Sequence, residues 1–142
     1  INVKGLLYVS KAVLPTMLLS QSGHIINIGS TAGKEVYPKG NVYCASKYAV
    51  DAINQGMRID LNGKGIKVGA INPGMVATEF SEVRFKGDTQ KATKIYQGFT
   101  PLQAKDIAEI IWFTVTRPAH VNIADLTVMA LDQASSTIVN KK

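Results

Sequence analysis

The sequence predicts an α/β fold built on a parallel sheet. Two observations carry this expectation. Segments with apolar residues at helical spacing alternate with single short apolar runs. Each run is β-branched and bounded by Gly or Pro, which suits a strand buried on both faces. Helices alternating with single buried strands imply βαβ units.

Taken in order, Leu6, Leu7, Val13, Leu14, Met17 and Leu18 fall at helical spacing, with Pro15 expected to bend or weaken the helix. The stretch from Gln21 to Gly23 reads as a stop. "HIINIG" is the first strand, and "STAGKEVYPKG" is a loop rich in Gly, Ser and Pro. A second helix runs from Val42 to Leu61, with Val42, Ala45, Ala49, Ala52, Ile53, Gly56 and Met57 along one side. That small-residue side fits close packing, either within the subunit or between subunits. "NGKG" ends the helix, "IKVGAI" is the next strand, and "NPG" breaks it at Asn72 to Gly74. The segment from Met75 to Thr100 is long, polar and weakly periodic, with a helical stretch expected around Thr89 to Tyr96. A helix from Ala104 to Thr116 places Ile107, Ile111 and Val115 inward, with Trp112 and Phe113 as packing residues. Pro118 stops it. "DLTVMAL" is the last strand, and the tail "NKK" is expected to fray.

Composition narrows the function. The 142 residues suit one domain spanning 1–142, and 46% apolar content argues for a packed core rather than disorder. No apolar run approaches the ~18 residues of a membrane span. The +6 charge is spread along the chain, with only Arg84, Lys86, Lys91 and Lys94 gathering loosely, so nucleic-acid binding is not expected. Cys44 is the only cysteine and reads as a small buried residue, compatible with a reducing compartment. His24 and His120 have no partner at metal-ligand spacing, and Asp106 with Glu109 reads as a helix-start charge pattern. The opening residues include no Met and no basic-then-apolar leader, so the sequence reads as a piece of a longer chain.

In parallel sheets, ligands sit beyond the carboxyl ends of strands. The loops "GSTAG" and "NPGMVATEF" leave such ends. On the helix between them, Tyr43 and Lys47 are four apart and share a face. A free phenol, with a pKa of about 10, is too weakly acidic to serve near neutrality. A neighbouring ammonium favours the phenolate, which lets the pair exchange a proton with an alcohol or carbonyl. Ser30, thirteen residues before Tyr43 and just past a strand end, offers a hydroxyl to hold the carbonyl oxygen. Tyr-x-x-x-Lys alone is a weak signal. Ser30 after "IINIG", Tyr43, Lys47 and the following "NPG" together form a specific one.

Through these motifs, essentially the whole chain resembles the classical short-chain dehydrogenases/reductases. The resemblance implies a Rossmann-like doubly wound parallel sheet, of which this chain holds the later strands and helices. The family's Thr-Gly-x-x-x-Gly-x-Gly loop and its N-terminal dinucleotide-binding βαβ units are not in this sequence. The family's catalytic Asn corresponds to Asn2 in "NVKG", and its Ser, Tyr and Lys to Ser30, Tyr43 and Lys47. The resemblance further implies that Asn27, Tyr43, Lys47, Pro73, Gly74, Val76 and Thr78 face the cofactor. Tyr43 would transfer the proton, Ser30 would bind the substrate oxygen, Lys47 would tune Tyr43 and hold the nicotinamide ribose, and Asn2 would anchor a relay water.

"EVYPKGNVYCASK", "VATEFSEVRFKGD" and "HVNIADLTVMALDQAS" resemble one branch, the NADP-dependent 3-hydroxy acid dehydrogenases. That branch implies NADP, with NAD possible, and small substrates such as serine, allo-threonine or 3-hydroxyisobutyrate. It also implies a cytoplasmic homotetramer and no metal, nucleic-acid or membrane partner. A carboxylate substrate needs a cation, and Arg84 and Lys86 in "RFKGD" are the candidates, against the plainer reading of solvated loop charges. Two alternatives stand beside this one: a reductase of another carbonyl (ketone, sugar or acyl thioester), and a non-catalytic assembly fragment.

Overall fold

The computed structural model describes residues 2–79 and 94–142. Its elements are α1 (Lys4–Ser20), β1 (Gly23–Ile28), a 3-10 turn (Thr31–Gly33), α2 (Asn41–Asp60), β2 (Ile66–Pro73), β3 (Val76–Ala77), β4 (Leu102–Gln103), α3 (Ala104–Val115) and β5 (Asp125–Val128). The main sheet has the order β1-β2-β5, and both pairings are parallel. The register sets Ile25 opposite Val68 and Ile71 opposite Leu126. A second, two-stranded parallel sheet, β3 with β4, has no counterpart in the sequence reading.

The α1 helix runs through Pro15 without a break. The carbonyl that proline leaves unpaired belongs to Lys11, an exposed residue, where water can satisfy it. Gln21 ends α1 in the left-handed region at φ 48°, and its N–H reaches Leu18 O. After α2, Gly63 and Gly65 turn the chain at φ 75° and 72°, which glycine adopts at little cost.

β2 is the central strand, and Val68 through Pro73 are buried. α2 covers it with Cys44 and Val50, and Cys44 is fully buried, as a small core residue should be. Strand alternation sends Asn27 toward α2, where it meets Asn54. Lys67 has the opposite parity in the register and reaches the carbonyls of Arg117 and Pro118 just beyond α3. Helices therefore flank both faces, as a doubly wound sheet requires.

Several expectations are corrected. Trp112 is 70% exposed and Phe113 48%, because Ile107, Ile110, Ile111 and Thr114 occupy the inward stripe. Val115 is also outside. On α2, where packing within or between subunits was left open, Val42 and Ala52 are exposed and a side chain added at Gly56 would meet open space, so this side is not packed on the sheet. The last strand ends at Val128, three residues short of the expected Leu131, which is fully exposed. The tail is docked rather than frayed, with Lys142 N–H on Gly98 O at 2.8 Å and Lys141 Nζ on Ile95 O at 3.0 Å. Of the stretch expected to be helical before Tyr96, residues 94–96 are helical and the remainder lies outside the described residues.

One buried polar group marks a pH liability. His24 Nε2 is buried without a hydrogen-bond partner among the described residues, and burial, then the Lys67 charge, lowers its pKa below 6.5. A lowered base binds its proton more readily in the unfolded chain, so stability falls as pH drops through 6.5. Chemical denaturation at pH 7.5 and pH 5.5 should show this loss, and it should be smaller in His24→Leu. An unchanged loss in that variant would contradict the assignment.

Candidate active site

The functional candidates gather at the carboxyl end of the sheet. β1 ends at Ile28 and leads into Gly29 and Ser30. A Cβ on Gly29 would run into the Asn72 side chain, so glycine lets the two strand ends close up. Ser30 is extended at φ −174°, and its Oγ accepts from Ala32 N–H at 3.1 Å, which caps the 3-10 turn. The turn lies directly on α2. A Cβ on Gly33 would sit 2.8 Å from the Lys47 backbone oxygen. Glycine at 33 thus sets how near Ser30 comes to the Tyr43–Lys47 face.

Lys47 Nζ donates to Ile28 O at 3.0 Å and lies 6.0 Å from the Tyr43 ring centroid. Burial pushes the Lys47 pKa below its ordinary value of 10.5. Asn2 Nδ2 donates to Ser46 Oγ at 3.0 Å, and Ser46 Oγ donates to Tyr43 O at 2.7 Å, which ties the start of α1 to the first turns of α2.

Two clefts open here. The larger, about 490 Å³, has apolar walls at Ile28, Ile107 and Ile111 and polar groups at Asn2, Lys47 and Thr78. The smaller, about 280 Å³, is bordered by Thr31, Tyr37, Tyr96 and Ser136. Ser30, Tyr43, Gly74 and Val76 line both clefts. A molecule in one cleft would therefore meet a molecule in the other at these four residues.

Of the residues singled out in the sequence, Asn2, Ser30, Tyr43, Lys47, Pro73, Gly74, Val76 and Thr78 line the larger cleft. Asn27 does not. Its side chain points into the layer between β1 and α2, is 6% exposed, and donates to Asn54 Oδ1 at 3.0 Å. The alternation of β1 explains this, because Ile28, one residue on, takes the cleft side. Arg84 and Lys86 lie outside the described residues.

Two supports were not read from the sequence. Lys34, just past the 3-10 turn, pairs with Asp51 at 2.8 Å and Asp125 at 2.6 Å, while Asp125 also accepts from Asn72. Burial alone would lower the Lys34 pKa, but the hydrogen bonds and charges of Asp125 and Asp51 hold it above its ordinary value. Gln133 is 4% exposed and accepts from Met75 N–H at 2.8 Å. Its position just past the last strand's carboxyl end was the available signal.

A family model described as short chain dehydrogenase matches residues 1–89. The NADP-dependent 3-hydroxy acid dehydrogenase YdfG of Salmonella typhi is 50% identical over 134 residues, 94% of this chain and 54% of that protein. Sulfoacetaldehyde reductase 2 of Chromohalobacter salexigens is 47% identical over 136 residues, 95% of this chain and 54% of that protein. The chain spans about half the length of the curated relatives it matches. Among solved structures, the closed form of a serine dehydrogenase complexed with NADP+ superposes with a TM-score of 0.93 at 47% identity. The match covers 99% of this chain and 57% of that one. The serine dehydrogenase of Escherichia coli gives a TM-score of 0.76 at 40% identity, covering 94% of this chain and 51% of that one.

The seating of the turn on α2 is directly testable. Gly33→Ala puts a methyl against the Lys47 carbonyl, and neither backbone can yield freely. Overpacking of this kind costs about 1–3 kcal/mol, measurable as a shift in denaturation midpoint. Unchanged stability would contradict the close approach.

Proposed function

Because this chain belongs to the short-chain dehydrogenase family, we propose that residues 1–142 are the catalytic part of a single-domain, NADP-dependent oxidoreductase that interconverts a small 3-hydroxy acid and its carbonyl form. The observation that carries this reading is the meeting of two clefts at Ser30, Tyr43, Gly74 and Val76. The larger cleft suits a nicotinamide riboside: it has apolar walls for the ring and Lys47 at its edge for ribose hydroxyls. When bound, the dinucleotide supplies hydride exchange at its nicotinamide ring.

The chain's own residues do the rest. Substrate occupies the smaller cleft, with its oxygen between the Ser30 hydroxyl and the Tyr43 phenol. In reduction, Tyr43 gives its proton to that oxygen as hydride reaches the carbonyl carbon and the C=O π bond opens. In oxidation, the phenolate takes the alcohol proton back. The Lys47 ammonium favours the phenolate electrostatically, and with one N–H on Ile28 O it would offer its others to ribose hydroxyls. Asn2 stands at the same cleft to anchor the water that returns a proton to Tyr43. Val76 and Thr78 present the wall that faces the nicotinamide carboxamide.

The named activities of the relatives support a small substrate bearing a carboxylate or sulfonate: 3-hydroxy acids, serine and sulfoacetaldehyde. The small volume of the substrate cleft agrees with this. A carboxylate or sulfonate needs a cation, and we assign that role to Arg84, with Lys86 as second candidate. We further propose a homotetramer, which light scattering of the intact protein tests. Its support is the apolar surface of α1, where Tyr8 is 69% exposed and Leu19 88%, beside the outward small residues of α2.

NADPH oxidation with small 3-oxo acids tests the reading on the intact protein. Tyr43→Phe should lose at least about a hundredfold in kcat, the share usual for general acid catalysis. Arg84→Ala should raise KM for hydroxy acids far more than for neutral alcohols. Full activity in Tyr43→Phe would remove the proton-transfer role, and equal KM changes would remove the anion role of Arg84.

A further inference from the structure

We infer that Gln133 is a positioning residue that sets the wall between the two clefts, so that a side chain on the substrate side controls how the dinucleotide is held. The inference rests on the proposed dinucleotide site. The wall is the segment from Gly74 to Val76, and four hydrogen bonds from the described residues anchor its backbone. Gly74 N–H donates to Val128 O at 2.8 Å, and Leu102 N–H donates to Met75 O at 3.1 Å. Tyr96 Oη donates to Val76 O at 2.8 Å. Met75 N–H donates to Gln133 Oε1 at 2.8 Å. The first two anchors are backbone groups of neighbouring strands. The other two are side chains, and both line the smaller cleft.

Gln133 is the better placed of the two. It is 4% exposed, and both ends of its amide are engaged, with Nε2 donating to Ser135 O at 3.1 Å. A buried amide held at both ends keeps one orientation, because releasing either end leaves a polar group unsatisfied. Gly74 lies so close that a Cβ there would run into Gln133 Oε1. The pair thus fixes both the direction of the Met75 N–H and the distance of the wall from the segment after β5. Gln133 lines the smaller cleft and is not among the residues lining the larger one. Its hydrogen bond to Met75 N–H connects it to Gly74–Val76, the wall both clefts share, and that is the route by which it acts on the dinucleotide.

That geometry separates this role from two plainer ones. A residue that only touched substrate would change substrate KM alone. A residue that only supported the fold would lower stability without dividing the kinetic constants. The intact protein is titrated with NADPH by fluorescence and assayed with a small 3-oxo acid, comparing wild type, Gln133→Leu and Gln133→Glu. Leu keeps the volume and removes the acceptor for Met75 N–H, whereas Glu, assayed at a pH where burial keeps its carboxyl protonated, keeps that acceptor and offers an O–H to Ser135 O. Gln133→Leu should weaken NADPH binding about tenfold and lower kcat, on the scale of one lost buried hydrogen bond. Gln133→Glu should recover most of both losses. Tyr96→Phe, which frees Val76 O, should weaken NADPH binding in the same direction as Gln133→Leu and so reports on the wall even where the Leu variant fails to fold. NADPH binding within twofold of wild type in both Gln133→Leu and Tyr96→Phe, or equal losses in the Leu and Glu variants, would overturn the inference. Absence of NADPH binding by wild type would instead overturn the proposed function beneath it.

Discussion

Lys47 joins the two elements on which the site depends. Its amine satisfies the last carbonyl of β1, Ile28 O, and its own backbone carbonyl is the surface on which Gly33 rests. One residue thus fixes the strand end, the turn that carries Ser30 and the helix that carries Tyr43. A lysine beside small residues looks misplaced on a packing helix. Burial depresses its pKa, while the amine stays engaged on the last carbonyl of β1. The same amine stands near the Tyr43 ring, so the structural bond and the proposed chemical role share one ammonium.

The second half of the site is a wall rather than a set of reactive groups. Gly74 to Val76 divides the clefts, and its neighbours come from far along the chain: Val128, Leu102, Tyr96 and Gln133. The Lys34–Asp51–Asp125 pairs, with Asn72 on Asp125, tie the loop after β1 to α2 and to both later strands. Lys34 and Asp125 are partly exposed, so these ion pairs are worth little individually. Their effect is to hold the two loops in register, so that Ser30 and Gly74 border the same space.

Much of this was legible in the sequence, for a physical reason. Strands buried on both faces have a plain apolar signature, and the i, i+4 spacing of Tyr43 and Lys47 states a shared face without any coordinates. Parity was harder to read. Asn27 and Ile28 are adjacent, and whether either meets the cleft depends on which face of β1 receives α2, a tertiary fact. The exposure of Trp112 and Phe113 was missed likewise, since periodicity finds a stripe but not what lies against it. Gln133 and Lys34 act on partners 58 and 91 residues away, and no local pattern announces such contacts.

On the proposed function, the nicotinamide and the substrate oxygen meet at Ser30, Tyr43, Gly74 and Val76. A crystal structure of the intact protein with NADP bound tests it most directly. The nicotinamide ring should lie in the larger cleft, with one face on Val76, its ribose within hydrogen-bond reach of Lys47 Nζ, and its reactive carbon open toward the Tyr43 hydroxyl. A nicotinamide seated away from Val76 and Lys47, with Tyr43 out of reach of its reactive carbon, would contradict it.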